Sequence, residues 1–153
     1  MLDENIVRLA QLQEDDKGKS NPDCLELILR IDRNCHSLVF PYSAWKRYVR
    51  HVESLPQSKL ATPRVLAILA ALLLNADKDH RFLSDDDLPP VPEAEDVVKP
   101  ADLPFVQAAA AVNGAILATT DGPLRIRVAA AGIDTKYSFI VEEPAVAVKR
   151  AGP

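Results

Sequence analysis

Three aspartates carry the chemistry that this chain can offer. Asp102 stands immediately before an apolar segment with helical spacing, and Asp121 ends a short apolar run about twenty residues later. Asp3 lies at the start of the chain, after Met1 and Leu2. Carboxylates gathered at one point repel one another and raise one another's pKa unless a cation neutralises them. Hard divalent cations such as Mg²⁺ or Mn²⁺ prefer such oxygen donors. Each acid also has a plainer reading. Asp102 can be a helix cap, Asp121 can serve the turn Asp121-Gly122-Pro123, and Asp3 can be a solvated terminal acid.

The stretch from Asp102 to Asp121, DLPFVQAAAAVNGAILATTD, has to bring two of these acids to one place. Pro104 suits a first helical turn. Phe105, Val106, Ala109 and Val112 recur at helical spacing, and Asn113-Gly114 stops the helix. Ala115 to Ala118 reads as a strand covered on both faces. A helix start and the carboxyl end of a strand can share one edge of an α/β sheet, the edge where ligands bind.

The remaining elements are read by the same rules. Pro22 to Asn34 is an amphipathic helix with Leu25, Ile28, Leu29 and Ile31 as its stripe. Gln11 to Asn21 is polar and reads as a loop or frayed helix end. Ser37 to Phe40 is a strand, and Ser43 caps a helix over Ala44 to Ser54. The apolar face of that helix is Trp45, Tyr48, Val49 and Val52. Its basic face, Lys46, Arg47, Arg50 and His51, reads either as a solvated surface or as a track for an RNA backbone. Thr62-Pro63 opens a central apolar helix reaching about Asn75. Ser84 to Pro100, with four prolines and six acids, reads as an extended acidic connector beside the site. Leu124 to Ala131 is a helix ended by Gly132. Tyr137 to Val141 is a further strand, and a tail from 145 to 153 holds a last helical turn. Short strands alternating with helices predict an α/β fold with a parallel sheet, in one domain over residues 1–144.

Composition narrows the function classes. The net charge is −4, but Ala76 to Asp102 alone holds nine acids against three bases, so the rest of the chain is slightly basic. The acidic total therefore does not exclude a nucleic-acid partner. Val65 to Leu74 is too short an apolar run to span a bilayer. Cys24 and Cys35 form no disulfide framework, and the N-terminus has no secretory pattern, so a cytoplasmic protein is expected. His36, His51 and His80 lack metal-ligand spacing. The absence of a Gly-rich phosphate loop argues against nucleotide-driven chemistry.

Three blocks in order resemble the PIN-domain nucleases, the family that includes VapC-type toxin ribonucleases. They are Leu2-Asp3-Glu4-Asn5-Ile6-Val7, Asp102 to Ala109, and Ile116-Leu117-Ala118-Thr119-Thr120-Asp121 with Leu124. The resemblance implies a three-layer α/β/α sandwich with a short, mainly parallel central sheet. It implies that Asp3, Asp102 and Asp121 are metal ligands and catalytic residues holding Mg²⁺ or Mn²⁺, with Asn5 and Thr119 supporting them. It implies hydrolysis of RNA phosphodiester bonds, and suggests a homodimer and a small antitoxin as partners. Two departures stand out. The family's usual helix Glu aligns with Arg47, whose guanidinium repels a cation but can grip a substrate phosphate. Only Met1 and Leu2 precede the first Asp. The alternatives are a catalytically degenerate PIN domain acting as a protein- or RNA-binding module, and a plain α/β protein with unrelated acids.

Overall fold

The computed structural model describes residues 1–12, 14, 18, 21–34, 36–54, 65–73 and 81–152. Over these, the chain is a mixed α/β protein, mostly helical, with short parallel strand pairs. Thr62, Pro63, Cys35 and His80 lie outside the described residues, as do the side chains of His51 and Val52.

The chain enters as an extended dipeptide. Leu2 forms a parallel bridge with Ala118, and the Met1 α-amine donates to the Ile116 carbonyl at 3.0 Å. Helix α1 (Glu4–Leu12) follows at once and buries Ile6, Val7, Leu9 and Ala10. Gln11 is also buried, and its side-chain oxygen accepts the Val65 N–H at 2.8 Å. That bond satisfies a donor at the start of a later helix, one of the orphans every helix start leaves.

Helix α2 (Asp23–Arg33) buries Cys24, Leu27, Ile28 and Ile31. The stripe is thus one step round from the expected one, with Leu25 only half-buried against the core. Cys24 at the leading position acts as a small hydrophobe, and burial pushes its thiol up to about 12.

Strand β1 (Val39–Pro41) pairs in parallel with β2 (Arg81–Leu83), in the register Phe40 to Phe82. Helices α3 (Tyr42–Glu53) and α4 (Val65–Leu73) lie between them in the chain. Helix α3 begins at Tyr42, so Ser43 sits inside the first turn and does not cap it. Helix α4 is less central than its composition suggests. Among its described side chains only Val65 and Leu69 are fully buried, and Ala67 is exposed.

The acidic connector is not merely extended. It forms a 3-10 turn at Asp85–Asp87 and helix α5 (Pro92–Glu95), and it buries Val91, Ala94 and Val98. Those three sit at helix-like spacing inside a polar sequence and anchor the segment to the core. Glu93 tightens the anchor by pairing with Lys136 and accepting the Tyr137 hydroxyl at 3.0 Å.

Helix α6 (Leu103–Ala110), strand β3 (Ile116–Ala118) and helix α7 (Gly122–Ala130) follow the expected order. Gly114 has φ +74°, the left-handed conformation that the turn before β3 requires. The expected strand over Tyr137 to Val141 is displaced. Helix α8 (Ile133–Tyr137) occupies its first position, and β4 (Ile140–Glu142) starts three residues later, parallel to β3. Gly132 and Ser138 bracket α8 in left-handed conformations, and Ile133 and Phe139 supply its buried contacts. Helix α9 (Pro144–Arg150) is more than a last turn. It packs on α2 and buries Ala147, Val148 and Ala151 with Pro144.

A cavity of about 260 Å³ opens beside Met1 and Leu2, between Val39 and Ile116. The buried Met1 amine has its pKa lowered from 8.0 to about 5. The folded chain therefore holds it neutral, while the unfolded chain takes up a proton below pH 8. Stability of a chain beginning at Met1 should fall from pH 8 to pH 5, by at most about 1.4 kcal/mol per pH unit from this group. Acetylating the amine keeps one N–H for Ile116 and removes the titration. Thermal melts at pH 8 and pH 5.5 should then show a shallower loss for the acetylated protein than for the free amine.

Candidate metal centre at the strand ends

The carboxyl ends of the Leu2 segment and of β3 lie side by side, because Leu2 is bridged to Ala118. Asp3 follows the first and Thr119 the second. The Asp3 N–H donates to the Ala118 carbonyl at 3.0 Å, and its own carbonyl accepts from Ile6 in the first turn of α1. The residue is 3 % exposed.

Thr119 connects two of the acids. Its hydroxyl donates to Asp3 Oδ2 at 2.6 Å and accepts the Asp121 backbone N–H at 3.0 Å. Asn5 Nδ2 approaches the same Asp3 oxygen at 3.5 Å. Asp121 caps α7, with Oδ1 accepting the Leu124 N–H at 2.9 Å. The turn reading of Asp121 therefore holds, and the Thr119 hydroxyl lies between its backbone N–H and the Asp3 carboxylate.

Asp102 behaves differently. It precedes α6, but its side chain makes no capping bond. Its Oδ2 is buried without a hydrogen-bond partner. Burial pushes its pKa up, and the charges of Asp3 and Asp121 push it further, with Lys99 and Arg47 opposing. Asp102 thus lies in the field of the other two acids. Asp3 is raised in the same sense, mainly by burial. The Thr119 bond opposes the shift, the Glu4 charge adds to it, and the amides of Glu4 and Asn5 pull back.

Arg47 stands on α3, facing these elements. Its Nε lies 2.6 Å from Glu4 Oε2, Nη1 donates to the Ala101 carbonyl, and the guanidinium lies 5.1 Å from the centre of the Phe105 ring. The side chain therefore ties α3 to the starts of α1 and α6. Its neighbour Tyr48 donates its hydroxyl to the Leu2 carbonyl. Nothing in the sequence singles out Glu4. Glu53, Glu95 and Asp96 are exposed. On the basic face, Lys46 and Arg50 are exposed. His36 serves the structure, with Nε2 3.0 Å from the Ala151 carbonyl.

The donor set is all oxygen, the chemistry that Mg²⁺ and Mn²⁺ select. An orphaned carboxylate oxygen on an acid repelled by two others is a place that a cation would relieve. Among the described residues, however, no three His, Cys, Asp or Glu side chains form a group that could hold a metal ion by themselves. Mg²⁺ commonly takes only one or two protein carboxylates and completes its shell with water and substrate oxygens.

Among the described residues no helix is long and apolar enough to cross a membrane. Comparison with protein-family models, with curated proteins and with solved structures gave no match.

The raised pKa of Asp102 has a definite sign. A carboxyl that ionises less readily in the folded chain weighs on stability above the usual carboxylate pKa of about 4, and the burden vanishes below it. Without divalent cations, Asp102→Asn should raise the melting temperature at pH 7 by a few degrees, the scale of about 1 kcal/mol in a domain of this size. At pH 4 the gain should shrink towards zero. Melts of both proteins in EDTA at the two pH values check this.

Proposed function

We propose that the chain is a metal-dependent ribonuclease with a PIN-like three-layer fold, in which Asp102, with Asp3 and Asp121, holds Mg²⁺ or Mn²⁺. The observation that carries this reading is the buried, unpartnered Oδ2 of Asp102 in the field of two further carboxylates. The order of elements supports it, since two acids follow neighbouring parallel segments and the third opens an adjacent helix.

The bound ion would supply an acidified water and charge stabilisation at a scissile phosphate. The chain's own residues have separate tasks. Thr119 fixes the orientation of the Asp3 carboxylate and the path of the backbone at Asp121. Such a partner typically matters because a ligand that rotates freely loses affinity. Asp121 is held by its cap to α7. The Arg47–Glu4 pair neutralises a fourth acid next to Asp3 and locks the helix starts around the site. The toxin assignment, the antitoxin and the homodimer rest on the sequence resemblance alone.

One observation favours a second reading, a degenerate PIN domain that binds RNA or protein without cutting. Arg47 stands where the family's helix Glu is expected, and it already holds Glu4. The two readings separate in a cleavage assay on a panel of structured RNAs. The ribonuclease reading expects cleavage with Mn²⁺, none in EDTA, and a loss of roughly a hundredfold or more in Asp102→Asn, the scale typical of removing a group that stabilises the transition state. RNA binding without Mn²⁺-dependent cleavage would establish the binding module instead.

A further inference from the structure

The acidic site proposed above would repel a polyanion, so an RNA strand needs cationic contacts on the same edge of the protein. Arg47 is the candidate that the sequence offers. Its guanidinium is committed to Glu4, the Ala101 carbonyl and the Phe105 ring, and the side chain is 20 % exposed. Arg125 stands in a different position. It lies one turn into α7 from Asp121, and Nη1 donates to the Thr119 carbonyl at 3.1 Å. This is the same Thr119 whose hydroxyl holds Asp3. Arg125 Nη2 lies 3.9 Å from where a side chain on Gly122 would begin, which sets the guanidinium over the first residue of α7.

The remaining donors of Arg125 are lightly engaged. Nη2 is 3.6 Å from Glu143 Oε2, beyond hydrogen-bond length, and the Glu143 side chain is 52 % exposed. Water screens such a pair, and it contributes little. A guanidinium anchored at one nitrogen and 29 % exposed, with only a loose carboxylate contact at another, is pre-set for a phosphate.

Resting on the ribonuclease reading above, we infer that Arg125 is the residue that binds a backbone phosphate of the RNA beside the acidic site. Arg47 then holds the site together, and Arg125 receives the substrate. Glu143 is the internal carboxylate that the phosphate displaces. No sequence motif marks Arg125, because the residue lies among ordinary helix positions in Leu124-Arg125-Ile126-Arg127.

The test uses the full chain and a fluorescein-labelled single-stranded oligoribonucleotide, with binding read by anisotropy in EDTA over a range of salt concentrations. Arg125→Gln should weaken binding about tenfold at low salt and reduce the slope of log affinity against log salt by roughly 0.7, the value of one phosphate contact on a single strand. Arg125→Lys should restore most of the slope. Glu143→Gln, which removes the competing carboxylate, should tighten binding several-fold, and it decides the matter if the Arg125→Gln protein fails to fold. Wild-type binding with unchanged affinity and slope in Arg125→Gln would overturn the role of Arg125 alone. An affinity left unchanged by Glu143→Gln would overturn that role too. Failure of the wild type to bind any RNA would overturn the functional reading, and this inference with it.

Discussion

The Thr119 hydroxyl is the hinge of the whole arrangement. It accepts a hydrogen bond from the Asp121 backbone and gives one to the Asp3 carboxylate, and it does both in a place closed to solvent. A buried carboxylate without such a donor would be protonated or expelled, because burial alone raises its pKa. The bond therefore keeps Asp3 inside, and Asp3 in turn keeps the start of α1 against the end of β3. Thr119 also anchors its own backbone, donating to the Glu142 carbonyl at 3.0 Å and accepting from Arg125. One residue thereby couples the entry segment, β3, β4 and α7.

The rest of the fold serves that point in two ways. Apolar burial fixes the elements, with Phe40 meeting Tyr48 edge to face and Tyr48 stacked on Phe105 through the interior. Ion pairs then manage the acids. Arg47 neutralises Glu4 beside the site, and Arg150 pairs at 2.7 Å with the buried Glu142 at the end of β4. Asp102 Oδ2 and Glu142 Oε1 are left buried without a hydrogen bond, and of the two only Asp102 lies in the field of Asp3 and Asp121. An unpaired buried acceptor costs about 1–3 kcal/mol, so its persistence marks either a binding function or a local weakness.

The run from Asp102 to Asp121 is legible in the sequence because its signals agree. Proline in a first turn, a left-handed glycine after the helix and an apolar run before Thr-Thr-Asp all demand the same structure. Other parts mislead for identifiable reasons. Tyr137 to Val141 has strand-like composition, yet the left-handed Ser138 breaks it and Ile133 draws the first half into a helical turn. The acidic connector reads as extended because its charges and prolines outnumber three buried apolar residues, Val91, Ala94 and Val98, that anchor it. Strand β2 sits in a charged neighbourhood and forms because β1 is there to pair with it. Within the site, Asp3, Asp102 and Asp121 are visible as types and spacing. The duties of Glu4 and Arg47 are not, because each depends on a partner distant in the chain.

If these carboxylates share a divalent cation, calorimetric titration with Mn²⁺ will show it without any appeal to activity. One ion per chain is expected for the wild type, with loss of that binding in Asp102→Asn and the variant still folded by circular dichroism. A wild type that binds no Mn²⁺, or an Asp102→Asn protein that binds it equally well, would contradict a shared cation.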